Sequence, residues 1–127
     1  MAHTADWAIK VWAENLSGLF EQAASGMYSL LELKLEDEPR LNETLRLESL
    51  DLESLLVKFL SELLYHMEDK RIAYDKLSVQ IKALQLMAQL EGRLITSQNQ
   101  EIKAVTFHNL RIQHEGRKFE ATIVFDV

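Results

Sequence analysis

"DLESLLVKFLSELLYHMEDKRIAYDKLSVQIK", residues 51–82, changes period part-way along, and that change decides the fold. Up to Lys70 the apolar residues recur at helical spacing. Leu52, Leu55, Leu56, Phe59, Leu60, Leu63, Leu64 and Met67 make one broad stripe, wide enough to be packed on two sides as a core helix is. Ser49 or Asp51 is an acceptable N-cap for it. From Arg71 onward the pattern suits strands, starting with "KLSVQIKALQLM" at residues 76–87.

Upstream, residues 6–13 alternate: Trp7, Ile9, Val11 and Ala13 on one face, Asp6, Ala8, Lys10 and Trp12 on the other. Asn15 is a good N-cap, and Leu16, Phe20, Ala23, Met27 and Leu30 follow at helical spacing. Gly26 inside that helix costs up to about 1 kcal/mol relative to Ala, so a close approach by a neighbouring element is expected there. "KLEDEPRLNETLRLES" (34–49) holds the single Pro and begins as a surface loop, with "ETLRLES" as a short strand. Downstream, a stretch around Ile102–Val105, "HNLRIQH" and "KFEATIVFD" all suit a sheet, and "HEGRK" supplies a Gly-containing hairpin turn. The last strand alternates Phe119, Ala121, Ile123, Phe125 and Val127 against Lys118, Glu120, Thr122, Val124 and Asp126. Two early helices and a late run of strands predict an α+β fold, with an antiparallel or mixed sheet covered on one face by two amphipathic helices. One domain spanning residues 1–127 accounts for the length.

Composition narrows the function classes. With 47% hydrophobic and 27% charged residues, the chain has the make-up of an ordinary globular protein. It contains no Cys, which excludes a disulfide framework, a thiolate zinc site and a cysteine nucleophile. No apolar run approaches the roughly 18 residues of a membrane span, and no secretory signal is legible, so a cytoplasmic protein without a membrane partner is expected. The net charge of −6 disfavours nucleic-acid binding by the whole surface and leaves room for a local basic spot.

No nucleotide-binding, zinc-protease, serine-hydrolase or EF-hand motif is present. What remains is a set of polar residues in strand-forming or terminal positions: His3, Asp6, Lys103, His108, Asp126 and the terminal carboxylate of Val127. Asp6 begins the first strand and Asp126 ends the last. Parallel neighbours would hold the two acids roughly 25 Å apart at about 3.3 Å per residue, whereas antiparallel neighbours would bring them together. Converging carboxylates call for a cation, and Ca²⁺, Mg²⁺ or Mn²⁺ suits hard oxygen donors. On spacing alone, solvated ends explain the acids as well. Lys103 reads as a solvated sheet residue or as a contact to phosphate or carboxylate. His108 shares parity with Leu110 and Ile112, which reads as a partly buried, hydrogen-bonded side chain.

"HTAD" at residues 3–6, "LFEQAASGMYSLL" at 19–31, "DLESLLVKFLSELLY" at 51–65, "EIKAVTFHNL" at 101–110 and the closing "DV" resemble, in order, the archease family. The resemblance implies a small cytoplasmic accessory protein rather than an enzyme. Its partner would be an RtcB-type RNA ligase, which uses GTP and joins RNA ends in tRNA splicing and RNA repair. The activator would promote guanylylation of the ligase histidine and multiple turnover, meeting RNA only through the ligase. The resemblance also carries a divalent-metal site onto Asp6, Asp126 and Val127, a functional lysine onto Lys103, and further motif positions onto His3 and His108. Arg93, after Gly92, stands where such proteins often carry an acid. A free-standing metal-dependent hydrolase and a chaperone-like binding module are the competing readings.

Overall fold

The computed structural model describes residues 6–127, with Asp6 described by its backbone alone. His3 lies outside the described residues. The elements are β1 (Asp6–Ala13), α1 (Leu16–Leu30), β2 (Leu33–Leu35), β3 (Leu41–Glu48), α2 (Leu52–Lys70), β4 (Ile72–Lys82), β5 (Gln85–Gln98), β6 (Ala104–Val105), β7 (Gln113–Glu115) and β8 (Lys118–Asp126). The fold is α+β, as the change of period predicts.

Both helices start where the sequence offers a cap. The Asn15 side chain accepts from the Gly18 amide and the Asp51 side chain from the Ser54 amide, each at 2.7 Å. Helix α2 ends on Arg71, whose φ of 55° is left-handed. The Arg71 amide donates to the Met67 carbonyl, and the chain turns straight into β4.

The strands divide into two four-stranded antiparallel sheets rather than one continuous sheet. In the first, β8 is central, flanked by β1 on one side and by β6 and β7 on the other. In the second, β5 pairs with β2, β3 and β4. β2 occupies residues that read as the start of a loop; at three residues it is too short for its alternation to stand out. "HNLRIQH" also departs from its reading, since the chain turns at His108–Asn109 and pairs again only from Gln113. Asn109 takes the left-handed conformation that Asn tolerates, with φ of 51°.

Both helices bridge the sheets. α1 packs against β1 and β8 of the first and β4 of the second, while α2 packs against β3, β4 and β5 of the second and β6 of the first. Phe20 and Phe59 are fully buried where the helices meet, with ring centroids 6.0 Å apart. Each such buried side chain contributes about 1.5–3 kcal/mol of transfer free energy. Helix acids also serve part-buried backbone amides: Glu21 accepts from the Val79 amide at 2.8 Å and Glu53 from the Ile112 amide at 2.9 Å. Within the core, His66 Nδ1 lies 2.8 Å from the Tyr74 hydroxyl. Burial, with a smaller contribution from the Glu43 charge, pushes the Tyr74 phenol up to about 12, so this hydroxyl stays protonated and able to donate.

Two glycines mark close contacts. A Cβ on Gly92 would fall 2.2 Å from the Ala73 carbonyl oxygen, a backbone atom that cannot yield cheaply. At Gly26 the nearest atom is Ile9 Cδ1, 2.9 Å away, the mobile end of a side chain. Beside Gly92, β4 carries a bulge between Tyr74 and Lys76, and Asp75 occupies it. Asp75 pairs with Arg40 at 2.5 Å and Arg93 at 3.0 Å, and Arg40 also pairs with Glu91. Burial alone would raise the Asp75 carboxyl, but the two guanidiniums outweigh it and hold it below its ordinary value.

In chemical denaturation, Gly92→Ala should therefore cost about 3 kcal/mol, the upper end for overpacking. Gly26→Ala should stay within about 1 kcal/mol of the parent, because gained helix propensity offsets the displaced Ile9. Since Asp75 is depressed, its contribution is complete above the ordinary carboxylate range and is lost as pH falls through its folded value. Asp75→Asn should lower stability at neutral pH and flatten the acid limb of a stability–pH curve measured by denaturant titration.

Candidate metal and partner site at the paired ends

β1 runs antiparallel to β8 in unbroken register, and its first pair is Asp6 with Asp126. Positions paired in this way share a sheet face, with Cβ positions about 4.5–5.5 Å apart. On the other side of β8, Ala104 of β6 also pairs with Asp126. The Lys103 amide donates to the Asp126 carbonyl at 2.8 Å. The start of β1, the end of β8 and the start of β6 therefore form one row, and Asp6, Lys103, Asp126 and Val127 belong to it or adjoin it. Asp126 and Val127 are half-buried, while Lys103 is exposed.

The "EIKAVTFHNL" segment is fixed from below and open above. Ile102, Val105 and Leu110 are buried in the core, leaving Lys103, Ala104, Phe107 and His108 in solvent. Thr106 locks the segment to β8, because its amide (3.0 Å) and its hydroxyl (2.9 Å) both donate to the Val124 carbonyl. The same hydroxyl accepts from the His108 amide at 3.3 Å. His108 is exposed in the turn, 3.3 Å from the Asn109 side-chain amide, and is not the partly buried residue that its parity suggests. The parity argument requires a continuous strand, and the turn removes it.

The donor chemistry of the row suits a hard divalent cation. Like charges directly opposite on paired strands repel, and a cation between oxygen donors relieves that repulsion. Among the described residues no three Asp, Glu or His side chains stand together as a metal cluster. At the paired ends Asp126 faces the Asp6 position in register, and Val127 follows it.

The model of the archease protein family matches residues 1–127. This chain belongs to the archease family. Among curated archeases, that of Methanosarcina mazei is 34% identical over 144 aligned positions, covering 100% of this chain and 93% of the relative. That of Sulfurisphaera tokodaii is 28% identical over 131 positions, covering 98% and 94%. Among solved structures, a Thermotoga maritima archease described as a possible chaperone superposes with a TM-score of 0.78 at 23% identity, over 100% of this chain and 94% of that one. That identity supports the fold alone. Both the archease motif at 101–110 and the junction of β1 with β8 thus occur in an archease fold. Among the described residues, no helix is long and apolar enough to cross a membrane.

The geometry separates two jobs within one motif. Lys103→Ala removes an exposed side chain and should change stability by no more than about 0.5 kcal/mol. Ile102→Ala empties part of the core and should cost about 2–5 kcal/mol. Paired denaturation curves test this division, and a large loss in the lysine variant would mean that Lys103 is structural.

Proposed function

We propose that this archease activates an RtcB-type RNA ligase in tRNA splicing and RNA repair. In this reading it is a cytoplasmic accessory protein rather than a ligase itself, promoting GTP-dependent guanylylation of the ligase histidine and multiple turnover. The observation that carries the reading is the register pair Asp6–Asp126 beside Lys103, in a chain of the archease family. Asp6, Asp126 and the Val127 carboxylate would hold a divalent ion, Ca²⁺, Mg²⁺ or Mn²⁺. Such an ion supplies a fixed positive charge with coordination positions open to a partner's oxygen atoms. Lys103 adds a mobile cation next to it, and His108 an exposed imidazole on the same segment. His3 joins this set through its motif. The Thr106 bonds to Val124 hold the segment at a constant distance from the acids, so a partner meets a preformed surface.

A chaperone-like module would hold clients on a continuous apolar surface. Among the described residues the exposed large apolar side chains are spread instead over β1 (Trp12), α2 (Tyr65), β5 (Leu94) and two connecting segments (Leu50, Phe107). A metal-dependent hydrolase using the same acids predicts phosphate release in the absence of ligase.

The test combines purified protein with an RtcB-type ligase, GTP and Mn²⁺, following guanylylation and RNA joining. Lys103→Ala should remain folded and activate poorly. Asp6→Ala and Asp126→Ala should each weaken divalent-ion binding measured by isothermal titration calorimetry. The double variant should add little to either single change, because both acids serve one ion. Normal activation by all three folded single variants would remove the proposal.

A further inference from the structure

A strand at the edge of a sheet presents unpaired amides and carbonyls, which proteins ordinarily blunt with short strands, bulges, charges or covering side chains. The other outer strands here are treated in this way. β6 and β7 are two and three residues long, and Glu53 takes up the Ile112 amide between them. β4 is bulged between Tyr74 and Lys76, and its Val79 amide donates to Glu21. β3 carries the exposed Glu43, Arg46 and Glu48, and Lys58 donates to the Glu48 carbonyl at 3.0 Å. β1 has none of these devices. It ends the first sheet, with β8 on one side and no strand on the other among the described residues. Its eight residues run in unbroken register without proline, and Lys10 is the one charge after Asp6. Among the described residues no side chain bonds to its backbone. Alternate residues of such a strand bond to the partner strand, and those between them point their amides and carbonyls outward.

Side-chain burial marks the same flank as incomplete. On the inward face Trp7 stands opposite Phe125 and Ile9 opposite Ile123. The two β8 residues are fully buried, whereas Trp7 and Ile9 are only half-buried. Ile9 already rests on α1 at Gly26, so what stays open is its side away from β8. On the outer face Trp12 is 57% exposed, with Lys118 Nζ 5.5 Å from its ring centroid. Apolar side chains therefore flank the unpaired edge on both faces. An added strand covers both at once, because its alternate side chains fall on opposite faces of the sheet.

A line of alternating backbone donors and acceptors is complementary to one kind of ligand, an extended polypeptide. We propose that the open edge of β1 receives an extended segment of the partner protein, which adds a strand beside β1. The proposal rests on the ligase-activator reading and deepens it by naming how the ligase docks. β1 begins at Asp6, the residue paired with Asp126. A neighbouring strand lies about 4.8 Å away, so one end of the added segment passes directly beside the paired ends. Docking along β1 thereby carries the partner's oxygen atoms to the coordination positions of a cation held there. A second copy of this chain would offer the same edge, but two copies of net charge −6 repel each other.

The test is hydrogen–deuterium exchange of the untagged protein, alone and with an RtcB-type ligase at saturation. Outward amides within residues 7–13 should exchange fast in the free protein, and the ligase should slow them at least about tenfold. The double variant Ala8→Lys/Trp12→Lys changes two exposed outer-face positions and, with Lys10, lines the edge with the charge that rejects added strands. Folded by circular dichroism, it should need at least about tenfold more protein for half-maximal guanylylation, with stimulation at saturation retained. Lys103→Ala should instead lower stimulation at saturation. Thr44→Lys/Gln89→Lys, which adds the same charge at exposed positions of the second sheet, should leave the half-maximal concentration unchanged. Unchanged half-saturation in the folded β1 variant, or an equal loss in the second-sheet variant, would overturn the proposal. So would protection of β1 that appears without ligase as the protein dimerises, measured by light scattering. Ligase stimulated while the β1 amides still exchange fast sinks this proposal alone. Protection of β1 by a ligase that is not stimulated sinks the activator reading alone, and a ligase that neither binds nor responds sinks both.

Discussion

Eight consecutive cross-strand pairs join β1 to β8, the first described element of the chain to the last. Closing a loop of more than a hundred residues costs entropy that grows only slowly with length, as the logarithm of the loop. The pairing is sustained by its inward face, where Val11, Ala121, Ile123 and Phe125 are buried against the helices. A slip of one residue would turn these side chains to solvent, so burial fixes the register. The register in turn fixes which residues meet at the open end. Asp6 opposite Asp126 is a consequence of apolar packing further along the same two strands.

The helices are what allow two sheets to share one core. α1 and α2 each contact both sheets, and their buried faces meet at Phe20 and Phe59. The broad stripe on α2 is wide because it serves strands of both sheets. Edge amides that no strand satisfies are satisfied by helix acids, Glu21 to Val79 and Glu53 to Ile112. Leaving such a buried or half-buried donor unpaired costs about 1–3 kcal/mol, so these acids have a structural use that composition alone would assign to solubility.

Charge is distributed in two ways on the second sheet. At the β4 bulge, Arg40, Asp75, Glu91 and Arg93 neutralise one another. At the other end of the same strands, Arg46 and Lys82 line a cleft together with Glu48 and make no ion pair among the described residues. A closed network of opposite charges holds the bulge in place.

The sequence by itself determined the helices, the cap at Asn15 and a second cap at Ser49 or Asp51, the alternation of β1 and β8, and hence the α+β class. These are local properties, carried by the spacing of apolar residues and by capping side chains within a few positions. The suggestion that Asp6 meets Asp126 was legible only as a condition on strand direction, because pairing partners so distant in sequence leave no local signal. Tertiary structure decided that the strands are antiparallel neighbours, that they split into two sheets, and that β2 exists. It also decided that His108 sits in an exposed turn, since an αL residue at Asn109 overrides strand parity there. The open edge of β1 was illegible as well, because which strand ends a sheet depends on pairing between segments distant in sequence.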